Sequence, residues 1–254
     1  MARDSKQFIV LEDSGTQGRL ISSMFERAGA AAHLFTCVED FTKDDELGFL
    51  EIDAAIVDIH FGKVNGLDLI EPILDLWPNV VLVMMTANKT NDFAVLADAR
   101  ERGAHLVLKK PFGAKEVSGV IQDVELIRSK GAPRHHIVVI DDNRTTCQIV
   151  QDILETYNFR VTTFQAGEFA MGRMNFDRVD AVLTDFNMPG MSGGELICLV
   201  RDVWEDVPIV GMSTESDSRN AHSDSVHAFV NKPFGPEELV NKLNGVIKRH
   251  FTPA

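Results

Sequence analysis

The second half of this chain repeats the first, and nothing else in the sequence restricts the possible fold so much. An apolar run closing on two acids, Phe8-Ile-Val-Leu-Glu12-Asp13, returns as Ile137-Val-Val-Ile-Asp141-Asp142. Asp53-Ala-Ala-Ile-Val-Asp58, with Gly66 eight residues on, returns as Asp180-Ala-Val-Leu-Thr-Asp185, with Gly193 at the same interval. Val81-Leu-Val-Met-Met-Thr86 answers Pro208-Ile-Val-Gly-Met-Ser213, and Lys-Pro-Phe-Gly closes each half at Lys110 and Lys232. Four correspondences in one order mean that both halves share one fold, so the 254 residues divide into two like-sized domains. The breaks supplied by Gly131 and Pro133 place the first domain at 1–130, a linker at 131–135 and the second domain at 136–254.

Each domain reads as alternating strands and helices. Short continuous apolar runs are separated by stretches with helical spacing, such as Leu20, Ile21, Met24 and Phe25, or Ile149, Val150, Ile153 and Leu154. Glu116–Ser129 and Pro236–Phe251 read as the closing helices. Five βα units per half give an α/β fold with a doubly wound parallel sheet covered on both faces. With 44% hydrophobic residues there is apolar side chain enough for a core in each half, and no run approaches the roughly 20 residues that span a membrane. The polar start of the chain has no apolar leader stretch, so a cytoplasmic protein is expected. Net charge is −13, shared almost evenly: 14 Lys+Arg against 21 Asp+Glu up to residue 130, then 11 against 17. Neither half carries the basic face that nucleic acid requires. Cys37, Cys147 and Cys198 lack metal-ligand spacing and read as buried, reduced thiols; His135 and His136 read as solvated linker side chains.

Polar side chains at the carboxyl ends of parallel strands converge on one crevice. The repeated polar residues all fall there: Glu12, Asp13, Asp58, Thr86 and Lys110 in the first half, and Asp141, Asp142, Asp185, Ser213 and Lys232 in the second. Three carboxylates in one crevice repel unless a cation shares them, and hard oxygen ligands suit Mg²⁺, one per domain. Lysine and a hydroxyl beside such an ion make a pocket for a phosphoryl-sized dianion, and a carboxylate there can act as nucleophile toward phosphorus.

With Asp185-Phe-Asn-Met-Pro-Gly-Met-Ser-Gly and the two Lys-Pro-Phe motifs, each half resembles a receiver domain of the two-component response regulators, the tandem being similar to chemotaxis-type receivers. The resemblance covers nearly the whole chain and implies the flavodoxin-like (βα)5 fold. It implies phosphoacceptors at Asp58 and Asp185, and Mg²⁺ held by Glu12, Asp13, Asp58 and the His60 backbone, or by Asp141, Asp142, Asp185 and the Asn187 backbone. Thr86 and Ser213 would be switch hydroxyls, Phe229 a switch aromatic, and Lys110 and Lys232 phosphate-binding lysines. His60 with Asn88, and Asn187 with Glu215, would tune dephosphorylation, so the two phosphoryl groups are expected to differ in lifetime.

Both halves depart from the family pattern. The first has Phe61-Gly62 in place of Met-Pro and Val107 in place of the aromatic. The second has only 19 residues from Ser213 to Lys232, against 24 from Thr86 to Lys110, and Thr214–Ser225 is polar without an apolar stripe, so its fourth helix is expected to be short or irregular. The function implied is a stand-alone regulator without an output domain. It would take phosphoryl groups from a histidine kinase or phosphotransfer protein and signal to an unknown protein target, with homodimerisation open. A phosphate sink, or a scaffold in which domain 1 is never phosphorylated, are the alternatives within the family. A phosphatase of the haloacid dehalogenase type would need a second Asp two residues past the nucleophile, where His60 and Asn187 stand. A flavin carrier would need a phosphate loop where the first-strand acids stand. Neither enzymatic turnover nor membrane association is expected.

Overall fold

The computed structural model describes residues 5–43, 50–87, 93–165, 178–186, 188, 193–204, 206–213 and 226–251. The expectations placed on Asn88, Asn187, Glu215 and the Thr214–Ser225 stretch lie outside the described residues. The chain divides into two compact units, Met1–Pro133 and Arg134–Ala254.

In the first unit the order is β1 (Lys6–Leu11), α1 (Gly15–Arg27), β2 (Ala30–Phe35), α2 (Val38–Lys43), β3 (Ala54–Asp58), the short strands β4 (His60–Phe61) and β5 (Val64–Asn65), a 3₁₀ turn (Gly66–Leu69) and α3 (Ile70–Leu76). β6 (Val81–Ala87), α4 (Phe93–Glu101), β7 (Leu106–Lys110) and α5 (Ala114–Lys130) complete it. The second unit has β8 (His136–Ile140), α6 (Arg144–Thr156), β9 (Arg160–Phe164), β10 (Ala181–Asp185), α7 (Gly193–Val203), β11 (Ile209–Ser213), β12 (Ala228–Asn231) and α8 (Pro236–Phe251). The five-stranded sheets run β2-β1-β3-β6-β7 and β9-β8-β10-β11-β12, every neighbour parallel. Both are the 2-1-3-4-5 order of flavodoxin-like folds.

Burial explains why the central strands lack alternation: β3, β8, β10 and β11 are buried at every position because helices cover both faces. One face of the first sheet packs Phe8, Val10, Ile56 and Val83 against Ile21 and Phe25 of α1 and Val117, Val120 and Val124 of α5. The second domain repeats this with Ile137, Val139, Leu183 and Val210 against Val150 and Leu154 of α6 and Leu239, Leu243 and Val246 of α8. α1 starts where the Ser14 hydroxyl accepts the Gln17 N–H, and α6 where the Asn143 amide oxygen accepts from Thr145 and Thr146. α5 stops at Gly131, whose φ of 78° closes the helix in the left-handed region.

Three sequence expectations need correction. Leu20 and Ile149 do not join the inner faces of their helices; both are about half exposed, because the buried stripe runs through Ile21 and Phe25, or Val150 and Leu154, a 100° turn away. Of the three free cysteines only Cys147 is buried, while Cys198 lies on the outer side of α7, opposite Leu196, Ile197 and Val200. His136 is buried rather than solvated: its ring meets the Arg178 carbonyl, Thr162 Oγ1 and the Arg160 guanidinium at 2.8–3.0 Å.

Candidate functional site

In the first domain β1, β3 and β7 end together and aim three side chains at one point. Lys110 Nζ, at the end of β7, donates to Glu12 Oε2 and, at 2.5 Å, to Asp58 Oδ2. Glu12 and Asp58 are buried, and their other oxygens accept backbone N–H groups, Ser14 to Glu12 and His60 to Asp58. Asp13 is exposed beside them, and one oxygen from each of Glu12, Asp13 and Asp58 lies within 4.8 Å of the others. The second domain rebuilds this arrangement. Lys232 Nζ donates to Asp141 Oδ2 at 2.8 Å and Asp185 Oδ2 at 2.7 Å, Asn143 N–H caps Asp141, and Asp142 is the exposed third acid of the second such cluster.

Electrostatics follow from this crowding. Burial pushes Glu12 above the usual carboxylate range, against the pull of Lys110. For Lys110 and Lys232, burial alone would lower the ammonium pKa, but hydrogen bonds to Asp58 and Glu12, or Asp141 and Asp185, outweigh it and the net displacement is upward. Both lysines therefore stay charged. One ammonium against three acids leaves each crevice short of positive charge, and the donor set, all carboxylate oxygen with an exposed member, fits a hard divalent cation.

The loop after Asp58 shows what the Phe61-Gly62 departure does. β4 and β5 pair His60 with Asn65 and Phe61 with Val64, and the turn between them puts Gly62 at φ 62° ahead of Lys63, the Gly-first arrangement of a type II′ hairpin. Phe61 is thereby buried. Gly66 then passes so close to the third strand that a Cβ would fall 2.1 Å from the Asp58 carbonyl oxygen.

The predicted switch positions differ between the domains. Thr86 is buried in β6 and its hydroxyl donates to the Ala87 carbonyl at 3.1 Å. Ser213 is buried in β11 with no hydrogen-bond partner for Oγ among the described residues. Phe229 packs its ring on Phe186, centroids 5.4 Å apart, whereas Val107 occupies the corresponding place in β7. Sequence reasoning missed two repeated pairs at the opposite ends of the strands. Asp53 and Asp180 accept the backbone N–H of Gln7 and His136, each at 2.8 Å, fixing where β1 and β8 begin. His105 and His227 accept the N–H groups of Leu82 and Ile209 through Nδ1. Their signal was in the repeat: both histidines lie five residues before the site lysine.

The chain is 28% identical over 117 residues to Response regulator SaeR of Staphylococcus epidermidis, covering 45% of this chain and 51% of the relative, so it spans about half the length of that protein. It is 29% identical over 123 residues to Two-component response regulator ORR3 of Oryza sativa, covering 46% of this chain and 94% of the relative. Among solved structures, chemotaxis protein CheY4 of Vibrio cholerae is 27% identical with a TM-score of 0.42, over 44% of this chain and 98% of that one. A probable two-component system response regulator/GGDEF domain protein is 20% identical with a TM-score of 0.41, over 98% of this chain and 100% of that one. The family described as Response regulator receiver domain matches residues 8–122 and again 137–244. Those two spans enclose both carboxylate–lysine clusters, and the chain accordingly belongs to the response regulator receiver family, with two receiver domains in tandem.

Proposed function

We propose that Asp58 and Asp185 each accept a phosphoryl group and that the protein passes this signal on by protein–protein contact. The observation that carries the reading is the duplicated cluster: in each domain one lysine ammonium bridges two buried carboxylates while a third, exposed acid stands within reach. A histidine kinase or phosphotransfer protein supplies the group. A carboxylate oxygen of Asp58 or Asp185 attacks phosphorus as the P–N bond to the donor imidazole breaks, and the imidazole leaves neutral after taking a proton. Lys110 or Lys232, already within hydrogen-bond distance of the acceptor, is placed to neutralise the transferred dianion. Thr86 or Ser213 supplies a hydroxyl donor at the same strand ends.

Glu12, Asp13, Asp58 and the His60 backbone would hold Mg²⁺ in one domain, as would Asp141, Asp142, Asp185 and the Asn187 backbone in the other; when bound, the ion offsets the carboxylate charge that would repel an incoming phosphoryl group. His60 with Asn88, and Asn187 with Glu215, set how fast water removes each phosphoryl group. Decay rates therefore differ between the Asp58→Asn and Asp185→Asn variants, and equal rates contradict that assignment. The site is cytoplasmic in this reading. Phosphate drainage through domain 1 is a second reading, favoured by its intact acids and lysine together with Val107 at the aromatic position and a Thr86 hydroxyl already bonded to the backbone.

The direct test is position mapping. After incubation with Mg²⁺ and acetyl phosphate, borohydride reduces an aspartyl phosphate to an alcohol, and peptide mass spectrometry should find that change at positions 58 and 185. Reduction at other acids, or at none, overturns the assignment.

A further inference from the structure

We infer that Gly211 is a positioning residue: it creates the slot that seats the Phe229 ring and so fixes the resting state of the β12 edge beside Ser213. The functional part of this inference rests on the reading of Asp185 as phosphoacceptor. β11 and β12 pair Gly211 with Phe229 and Ser213 with Asn231, and β10 pairs Thr184 with Gly211. Residues two apart on a strand share a face, so Phe186, Gly211, Ser213 and Phe229 lie on one side of the sheet. The Phe186 and Phe229 rings meet over the glycine at an interplanar angle of 55°. A Cβ on Gly211 would fall 2.5 Å from Phe229 Cε1 and 2.6 Å from Phe186 Cε2, so any side chain there displaces both rings. Glycine weakens a strand interior, and an aromatic ring laid across it is the cross-strand arrangement that offsets this.

The first domain solves the same packing differently. The positions matching Phe186, Gly211 and Phe229 hold Ile59, Met84 and Val107, with Met84 fully buried and paired to Val107. The exchange is concerted over three positions: two rings and no side chain in one domain, three aliphatic side chains in the other. It coincides with the difference in hydroxyls, Thr86 being bonded to Ala87 while Ser213 Oγ has no partner among the described residues. In the second domain a seated ring thus accompanies a hydroxyl still able to turn toward a new dianion.

The test uses the full chain carrying Gly211→Ala, followed by NMR with and without Mg²⁺ and acetyl phosphate, with peptide mass at position 185 after borohydride reduction read in parallel. Expected are loss of the Phe186–Phe229 ring NOEs without any donor, unchanged phosphoryl uptake on Asp185, and loss of the phosphorylation-linked amide shifts of Val230 and Asn231. Adding Phe229→Val restores thermal stability but not those shifts. Persistent ring NOEs, or undiminished amide shifts, overturn the proposal. Should wild type take up no phosphoryl group on Asp185, the phosphoacceptor reading fails, while the ring NOEs still decide the role of Gly211. If Gly211→Ala does not fold, Ile59→Phe, Met84→Gly and Val107→Phe together in the first domain provide the converse: ring NOEs between positions 59 and 107 support the slot, and their absence overturns it.

Discussion

Asp13 and Asp142 are the acids that each cluster leaves to solvent, since Lys110 bonds Glu12 and Asp58, and Lys232 bonds Asp141 and Asp185. Neutralising them relieves like-charge crowding and removes a cation ligand at once. Asp13→Asn with Asp142→Asn is therefore expected to raise cation-free stability by up to about 1 kcal/mol, the scale of partly exposed charge interactions. The same variant should lose the stabilisation by Mg²⁺, about 2.7 kcal/mol at a hundred times Kd. Urea unfolding with and without the ion measures both, and a variant that Mg²⁺ still stabilises contradicts the ligand assignment. These acids were legible in the sequence because their type and spacing recur. Asp53 and Asp180 recur too, yet their work was hidden, since it depends on which strand leaves a free N–H beside them. Asp180 shows the strength of that work: burial would raise its pKa, but the His135 ring 3.6 Å away, the hydrogen bond from the His136 backbone and the Arg178 charge hold it below the ordinary value.

Among the elements, β6 with β7 and β11 with β12 are each joined below their strands by a histidine. His105 and His227 donate their own N–H to Leu82 and Ile209 carbonyls and accept the return N–H on Nδ1, extending the parallel pairing by a side chain. Burial of that ring edge lowers both pKa values, with Arg201, His250 and Arg249 adding to the effect at His227. A depressed histidine pKa means that the neutral ring is the form the fold prefers. Its contribution is complete above the unfolded value of about 6.5 and fades as pH falls below it. Thermal unfolding from pH 7.5 to 5.5 should show falling stability that His105→Gln and His227→Gln flatten; an unchanged slope in the double variant contradicts the role. Gly66→Ala pushes a Cβ against the Asp58 carbonyl, and a cost of about 1–3 kcal/mol is expected in the first domain's stability, read by chemical denaturation. The βα rhythm that builds these elements was legible from continuous apolar runs. The β4–β5 hairpin was not, because Phe61-Gly62 stood out only as a departure until Gly62 was seen to supply the turn's positive φ.

At the scale of the whole molecule the duplication is what made fold and site readable together. A single strand-end aspartate is a common surface residue, but two sets of five polar residues in the same order at the ends of corresponding strands require two matched crevices, and the lysine–carboxylate contacts sit in both. What the repeat could not convey is how the domains differ, because that rests on packing: a bonded Thr86 beside Met84 in one, and in the other a Ser213 hydroxyl with no partner among the described residues beside two tilted rings. The central claim is that each crevice accepts its own phosphoryl group, independently of the other. Intact mass after incubation with Mg²⁺ and acetyl phosphate tests it most directly. The account predicts two added phosphoryl groups in wild type, one in Asp58→Asn, one in Asp185→Asn and none in the double variant; an unchanged wild-type mass, or phosphoryl groups surviving in the double variant, would contradict it.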